Sequence, residues 1–138
     1  MDRASVRVLV VDDNEPWRRF FSSTLHKQPE YQVIGEVSDG LEAVQQAKQL
    51  QPDLILLDIG LPRLNGIDAA VRILESCPGV KILFVSQESS ADILQRALAV
   101  GVHGYVVKAE AASDLLKAVD AVLRETNLSV AGLVVLTQ

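Results

Sequence analysis

The chain has 138 residues, of which 49% are hydrophobic and 22% are charged, and its formal net charge is −5. This length suits one domain with a buried core, and the composition excludes a disordered, collagen-like or disulfide-rich protein. The negative net charge argues against direct nucleic-acid binding, which needs clustered Lys and Arg.

Cys77 is the only cysteine, so no intrachain disulfide can form. No apolar stretch reaches the roughly 20 residues that span a bilayer. The N-terminus also lacks the apolar core of a signal peptide. We therefore expect a cytoplasmic, soluble protein without a membrane partner.

Five apolar segments predict the strands of a sheet. In chain order they cover residues 8–11, 31–37, 54–57, 82–85 and 105–107. The second segment partly alternates and suits an edge strand, whereas the others are continuous. Continuous apolar segments are typical of strands that are covered on both faces in a parallel sheet.

Segments with helical spacing separate the strands and follow the last one. Apolar residues recur every three or four positions within residues 17–25, 41–50, 67–74, 93–98 and 115–122. Ser89 or Ser90 is the predicted N-cap of the fourth helix, and Gly101 is placed to end it in a left-handed turn. Ser113 is the predicted N-cap of the fifth helix.

Strict alternation of strands and helices predicts an α/β fold, in which a doubly wound parallel sheet carries helices on both faces. Residues 1–125 form the predicted domain, and residues 126–138 are a tail or the start of a linker, with their structure left open. In such sheets, ligands bind beyond the carboxyl ends of the strands. The residues that follow each strand are therefore the candidates for a functional site.

Polar residues occupy four of these strand ends: Asp12 and Asp13 on the first, then Asp58, Ser86 and Lys108. Each residue alone has an ordinary explanation, such as a helix cap, a turn or a solvated lysine. Together they supply a phosphoryl-transfer site, because Lys108 offers a cation and Ser86 a hydroxyl to phosphoryl oxygens.

Three carboxylates at one edge of the sheet repel one another unless a cation shares the site. Mg²⁺ prefers oxygen ligands and keeps several waters, so Asp13 and Asp58 suit it as ligands with Asp12 close by. Gly60 lies where its backbone carbonyl would supply another ligand. Mg²⁺ is therefore the predicted cofactor.

The motifs VLVVDDN at 8–14, DIGLPRLNG at 58–66, VS at 85–86 and GYVVK at 104–108 occur in this order. Together they resemble the response-regulator receiver (CheY-like) family over about residues 6–123. The resemblance implies a flavodoxin-like fold with a five-stranded parallel sheet in the order 2-1-3-4-5. It also implies a phosphoprotein of a two-component system.

By this resemblance, Asp58 accepts a phosphoryl group from a sensor histidine kinase. Asp12 and Asp13 organise Mg²⁺, Lys108 contacts the phosphoryl group and Ser86 is the switch hydroxyl. Such a protein is not an enzyme with an external substrate, because it takes up one phosphoryl group stoichiometrically and at most catalyses its own dephosphorylation.

Two further features concern the response to phosphorylation. Tyr105 matches the aromatic residue that turns inward in the family, although a strand tyrosine with its hydroxyl at the surface explains it equally well. Gly60 and Glu88 border the site, and the missing side chain at Gly60 predicts easy access for water and a short-lived acyl phosphate. Both residues are equally well explained as ordinary loop positions.

Residues 104–109 and 113–119 look most like receivers of LuxR-type (NarL/FixJ-like) transcription regulators, in which a helix-turn-helix domain follows. Fifteen residues remain after Leu123, so any DNA contact would depend on an output domain outside this chain. A phosphorylation-dependent homodimer is a further expectation. The alternative is a stand-alone receiver that acts through protein contacts.

Two alternatives come from other functional classes. A flavodoxin-like mononucleotide-binding protein would need a Gly-, Ser- or Thr-rich loop after the first strand, where this chain has Asp12 and Asp13. An aspartyl phosphatase usually needs an acidic residue two positions beyond its nucleophile, and Gly60 stands there. Turnover of a phosphate ester would favour the phosphatase.

Overall fold

The computed structural model describes residues 5–88, 90–125, 128–130 and 133–135. The strands are β1 (Val6–Val11), β2 (Tyr31–Val37), β3 (Leu54–Leu57), β4 (Lys81–Ser86), β5 (Gly104–Val107), β6 (Leu128–Val130) and β7 (Leu133–Val135). The helices are α1 (Glu15–His26), α2 (Gly40–Leu50), α3 (Gly66–Ser76), α4 (Ala91–Ala99) and α5 (Ala111–Arg124), with a 3-10 turn at Lys108–Glu110. Within these residues, no helix is both long and apolar enough to cross a membrane.

The strands form one sheet in the order β2-β1-β3-β4-β5-β7-β6. The first five are parallel, so the predicted order 2-1-3-4-5 is confirmed. β7 pairs antiparallel with β5, and β6 pairs antiparallel with β7. β6 and β7, which lie in the segment whose structure the sequence left open, thus extend the sheet, whereas the domain boundary at residue 125 stays a prediction.

The core lies on both faces of the sheet. The four residues of β3 are between 0% and 1% exposed, which accounts for a continuous apolar strand. One face packs against buried residues of α2, α3 and α4, and the other packs against α1 and α5. The helices therefore hold the strands so that their carboxyl ends form one continuous edge.

The helix ends agree with the sequence at α4 but not at α5. Ser90 caps α4 through a 3.2 Å hydrogen bond to its side chain, and Gly101 has a φ of +94°. Ser89 lies outside the described residues. Ser113 as the N-cap of α5 was wrong: the 3-10 turn brings the chain into α5 earlier, and the Ser113 hydroxyl donates to the Glu110 carbonyl at 3.2 Å.

Gly66, the first residue of α3, touches the backbone that follows β3. Its N–H donates to the carbonyl of Ile59 at 2.7 Å, and a Cβ atom there would lie 2.0 Å from the carbonyl oxygen of Asp58. No side chain fits this contact without moving the backbone. Because Gly66 has no side chain, α3 can begin in contact with the backbone of Asp58 and Ile59. This contact fixes the loop from Asp58 to α3.

We predict that Gly66→Ala lowers the free energy of unfolding by about 2–4 kcal/mol, because the added methyl group displaces the backbone at Asp58. Gly79→Ala is the matched control, since nothing lies within 4 Å of a Cβ atom there. Urea unfolding of both variants measures the difference. Equal stability of the two variants would contradict this account of Gly66.

His103 is half-buried beside the start of β4. Its Nδ1 atom accepts a hydrogen bond from the backbone N–H of Ile82 at 3.0 Å, which requires an unprotonated nitrogen. Burial, and then the charge of Lys81, lower the pKa of His103 below its usual 6.5. Protonation of His103 is therefore less favourable in the folded chain than in the unfolded one.

Stability should decrease as the pH falls below about 6.5, because the unfolded chain then binds a proton that folded His103 resists. Above that pH, His103 is neutral in both states and costs no stability. As the pH falls from there toward the lowered pKa of folded His103, the free energy of unfolding decreases by at most about 1.4 kcal/mol per pH unit. His103→Gln should flatten this part of the stability profile. His26→Gln, at an exposed site, should leave it unchanged, and an unaltered slope in His103→Gln would contradict the assignment.

Candidate phosphoryl-acceptor site

Four parallel strands deliver the five predicted polar residues to one edge of the sheet. Asp12 and Asp13 follow β1, Asp58 follows β3, Ser86 ends β4 and Lys108 follows β5. Asp13 is exposed, whereas the other four side chains are buried. The structure thus brings together all five residues that the sequence singled out.

The three carboxylates cluster at the site, and two of them contact the ammonium group of Lys108. Asp12, Asp13 and Asp58 each offer an oxygen within 4.8 Å of the others. Lys108 Nζ lies 2.8 Å from Asp12 Oδ2 and 3.4 Å from Asp58 Oδ2. Because Lys108 is 5% exposed, this cation is buried with its partners rather than solvated.

Ionisation of the Asp12 carboxyl is opposed by its surroundings. Burial raises the pKa of its carboxyl, and the negative charge of Asp58 raises it further. Hydrogen bonds from Lys108 and from the backbone of Asn14 oppose this change only in part. Additional positive charge would therefore favour the ionised form of this buried carboxylate.

The donor set fits a divalent cation such as Mg²⁺. Asp12 Oδ2 is buried and lies 2.8 Å from Lys108 Nζ, which also lies 3.4 Å from Asp58 Oδ2, so one ammonium group faces two buried carboxylates. Three carboxylates provide hard oxygen ligands, and exposed Asp13 leaves room for retained waters. Gly60 lies beside them at the cleft, and nothing lies within 4 Å of a Cβ atom there.

Asp58 is held by the backbone on both sides. Its N–H donates to the carbonyl of Val11 at 3.1 Å, which ties the end of β3 to β1. The N–H of Ile59 donates to Asp58 Oδ1 at 2.8 Å. Oδ1 is thus fixed by the chain, while Oδ2 faces Lys108 and remains available to an incoming group.

Ser86 and Tyr105 both contact the backbone of Glu88 in the loop that leads from β4 to α4. The Glu88 N–H donates to Ser86 Oγ at 3.3 Å, and the Tyr105 hydroxyl donates to the Glu88 carbonyl at 2.5 Å. Burial raises the pKa of Tyr105 to about 12. Tyr105 is only 2% exposed, so its hydroxyl is not at the surface as the alternative interpretation had it.

These residues surround a cleft of about 350 Å³. Its lining consists of Asp13, Asn14, Trp17, Asp58, Gly60, Ser86, Gln87, Glu88 and Lys108. The sequence placed Trp17 only in the apolar stripe of α1 and gave Asn14 and Gln87 no role at the site. The spacing of Trp17, one helical turn after the acidic pair, was the available signal, because α1 begins at the cleft.

The profile of the response regulator receiver domain matches residues 8–120. The chain belongs to the response regulator receiver family. Over 115 residues this receiver is 36% identical to the response regulator protein VraR of Staphylococcus aureus, an alignment that covers 83% of the chain and 55% of VraR. The chain thus spans about half the length of the curated relatives it matches.

Solved receivers share the fold. The response regulator domain of CheB from Thermotoga maritima is 34% identical, with a TM-score of 0.80 over 87% of this chain and 97% of that one. The NarL signal receiver domain from Mycobacterium tuberculosis is 29% identical, with a TM-score of 0.81 over 88% and 98%. A LuxR-family regulator from Aurantimonas is 27% identical, with a TM-score of 0.84 over 89% and 88%. The predicted similarity to LuxR-type receivers is confirmed.

We predict that Mg²⁺ stabilises this receiver through its carboxylates. At about tenfold above its dissociation constant, a ligand of the folded state adds about 1.4 kcal/mol to the free energy of unfolding. Asp13→Asn should lose most of this gain, because it removes an exposed charged ligand without leaving a buried cavity. Thermal unfolding with and without MgCl₂ measures the effect.

Glu75→Gln is the control for this experiment, because it removes one negative charge from an exposed position on α3. This variant should keep the full response to Mg²⁺. Equal stabilisation of Asp13→Asn and the unchanged protein would place the cation elsewhere.

Proposed function

We propose that this chain is the phosphoryl-accepting receiver of a two-component response regulator and that Asp58 is the acceptor. The observation that carries the proposal is the position of Asp58 Oδ2, which faces the cleft 3.4 Å from Lys108 Nζ while Oδ1 is held by the backbone. A nucleophile that is fixed in this way loses little freedom on reaching the transition state.

In the proposed reaction, Asp58 Oδ2 attacks the phosphorus of a phosphohistidine in line. A new P–O bond forms, the bond from phosphorus to the histidine nitrogen breaks, and that nitrogen keeps the electron pair and takes up a proton. The product on this chain is an acyl phosphate. Lys108 stays within reach of the transferred group and offsets its negative charge.

Asp12, Asp13 and Asp58 would hold Mg²⁺, with the carbonyl of Gly60 as a further ligand. When bound, the ion supplies positive charge to the phosphoryl oxygens and reduces the repulsion among the carboxylates. Support comes from the two buried carboxylates that share the ammonium group of Lys108 and from the raised pKa of the Asp12 carboxyl. Both indicate that the folded chain favours additional positive charge here.

Ser86 and Tyr105 are the proposed switch residues. Once phosphorylated, Asp58 presents acceptor oxygens toward Ser86, whose Oγ now accepts a bond from the Glu88 N–H. A hydroxyl that turns toward the phosphoryl group weakens this bond and shifts the loop to which Tyr105 is also tied. The populations of the loop conformations would then depend on the phosphoryl group.

The proposed kinase partner is a sensor histidine kinase, and the proposed output is transcriptional control through a DNA-binding domain outside this chain. Similarity to LuxR-type receivers supports this output, as does the alignment with about half the length of VraR. A phosphorylation-dependent homodimer is part of the same proposal. The net charge of −5 gives this chain itself little affinity for DNA.

Asp58→Asn should abolish labelling of the protein by a radiolabelled small-molecule phosphodonor in the presence of Mg²⁺. The amide has the same size but cannot form the acyl phosphate. Asp120→Asn is the control, because it removes an exposed aspartate from α5 and should leave labelling unchanged. Persistent labelling of Asp58→Asn at the normal rate would rule out this acceptor.

The stoichiometry of the same reaction distinguishes a receiver from a phosphatase. A receiver takes up at most one phosphoryl group per chain and then loses it to water. Continuous release of the alcohol from a phosphate monoester, at many turnovers per chain, would instead support the enzyme.

A further inference from the structure

Trp17 stands beside the ammonium group of Lys108. Lys108 Nζ lies 5.3 Å from the centre of the indole ring, within the range of a cation–π interaction. The same nitrogen lies 2.8 Å from Asp12 Oδ2. The cation therefore has an anionic partner and an aromatic face around it.

The indole ring is itself held in place. It stacks on the buried ring of Phe21 with an interplanar angle of 26° and a centroid separation of 5.6 Å. The backbone N–H of Trp17 donates to Asn14 Oδ1 at 3.0 Å, which fixes the first turn of α1. Trp17 is thus a rigid wall of the cleft rather than a freely moving surface residue.

Trp17 and Lys108 line two cavities at once. One is the polar cleft at Asp58, and the other is an apolar groove of about 410 Å³. The groove is lined by Pro16, Trp17, Phe20, Lys108, Ala109 and Ala112. The indole and the lysine side chain therefore form the partition between the charged site and this groove.

Lysine has a long flexible side chain and a strongly hydrated ammonium group, so its position depends on the groups around it. Attraction to Asp12 alone would hold Nζ close to Asp12, whereas an incoming phosphoryl group needs Nζ near Asp58 Oδ2. We propose that Trp17 is a positioning residue for Lys108, whose ring keeps the ammonium group between Asp12 and Asp58 and out of the apolar groove. This inference rests on the proposed function of Asp58 and Lys108.

The main test compares Trp17→Leu and Trp17→Phe in the full chain. With a small-molecule phosphodonor and Mg²⁺, Trp17→Leu should label Asp58 about three- to tenfold more slowly, because the aromatic face is lost. Trp17→Phe keeps an aromatic face and should recover most of the rate. Phe20→Leu is the control, since it alters the same aromatic cluster and the groove but not the polar cleft, and it should label normally.

A double variant separates positioning from a general structural effect. If Trp17 acts through Lys108, then Trp17→Leu should slow labelling no further when Lys108 is already replaced by Ala. A purely structural defect would slow labelling by the same factor in both backgrounds. That additive result would overturn the proposal, as would an unchanged rate in Trp17→Leu alone.

Fluorescence tests the contact even if Trp17→Leu fails to fold, because Trp17 is the only tryptophan in the chain. Lys108→Met should shift the emission of Trp17, whereas Lys117→Met, at an exposed site on α5, should not. Identical emission spectra for all three proteins would refute the contact. Absence of any label on the unchanged protein would instead refute the proposed function, so the two failures are distinguishable.

Discussion

The ion cluster of Lys108 with Asp12 and Asp58 is the constraint on which the site depends. Three carboxylates have oxygens within 4.8 Å of one another, and two of them are buried, so they repel one another unless positive charge lies among them. Lys108 supplies part of that charge, and the raised pKa of Asp12 indicates that Lys108 does not fully stabilise its ionised carboxylate. The cluster thus has less positive charge than its carboxylates need. It is therefore suitable for a cation and for a transferred anionic group.

The fold creates this cluster by ending four parallel strands at one edge. The helices on both faces bury β1, β3 and β4, so the backbone positions of Asp12 and Asp58 are determined by the core rather than by the site itself. Gly66 adds a local restraint, because α3 begins in contact with the carbonyl of Asp58. Apolar packing outside the site thereby holds the mutually repelling carboxylates in place.

The sequence predicted the parallel sheet and the five strand-end residues because continuous apolar strands and their carboxyl ends leave a local pattern. It did not predict strands β6 and β7, since residues 128–138 are apolar without a clear period and the pairing of β7 with β5 depends on tertiary contacts. Ser113 failed as a helix cap because a 3-10 turn precedes α5. Trp17 was assigned to the core stripe of α1, because spacing alone does not show that the ring also reaches Lys108 across the chain.

A crystal structure with Mg²⁺ and beryllofluoride tests the central claim most directly, because beryllofluoride mimics a phosphoryl group on a carboxylate. We expect beryllofluoride on Asp58 Oδ2, the metal among Asp12, Asp13 and Asp58, and Lys108 Nζ in contact with a fluorine atom. Beryllofluoride on another carboxylate, or a metal ion held away from all three aspartates, would contradict it.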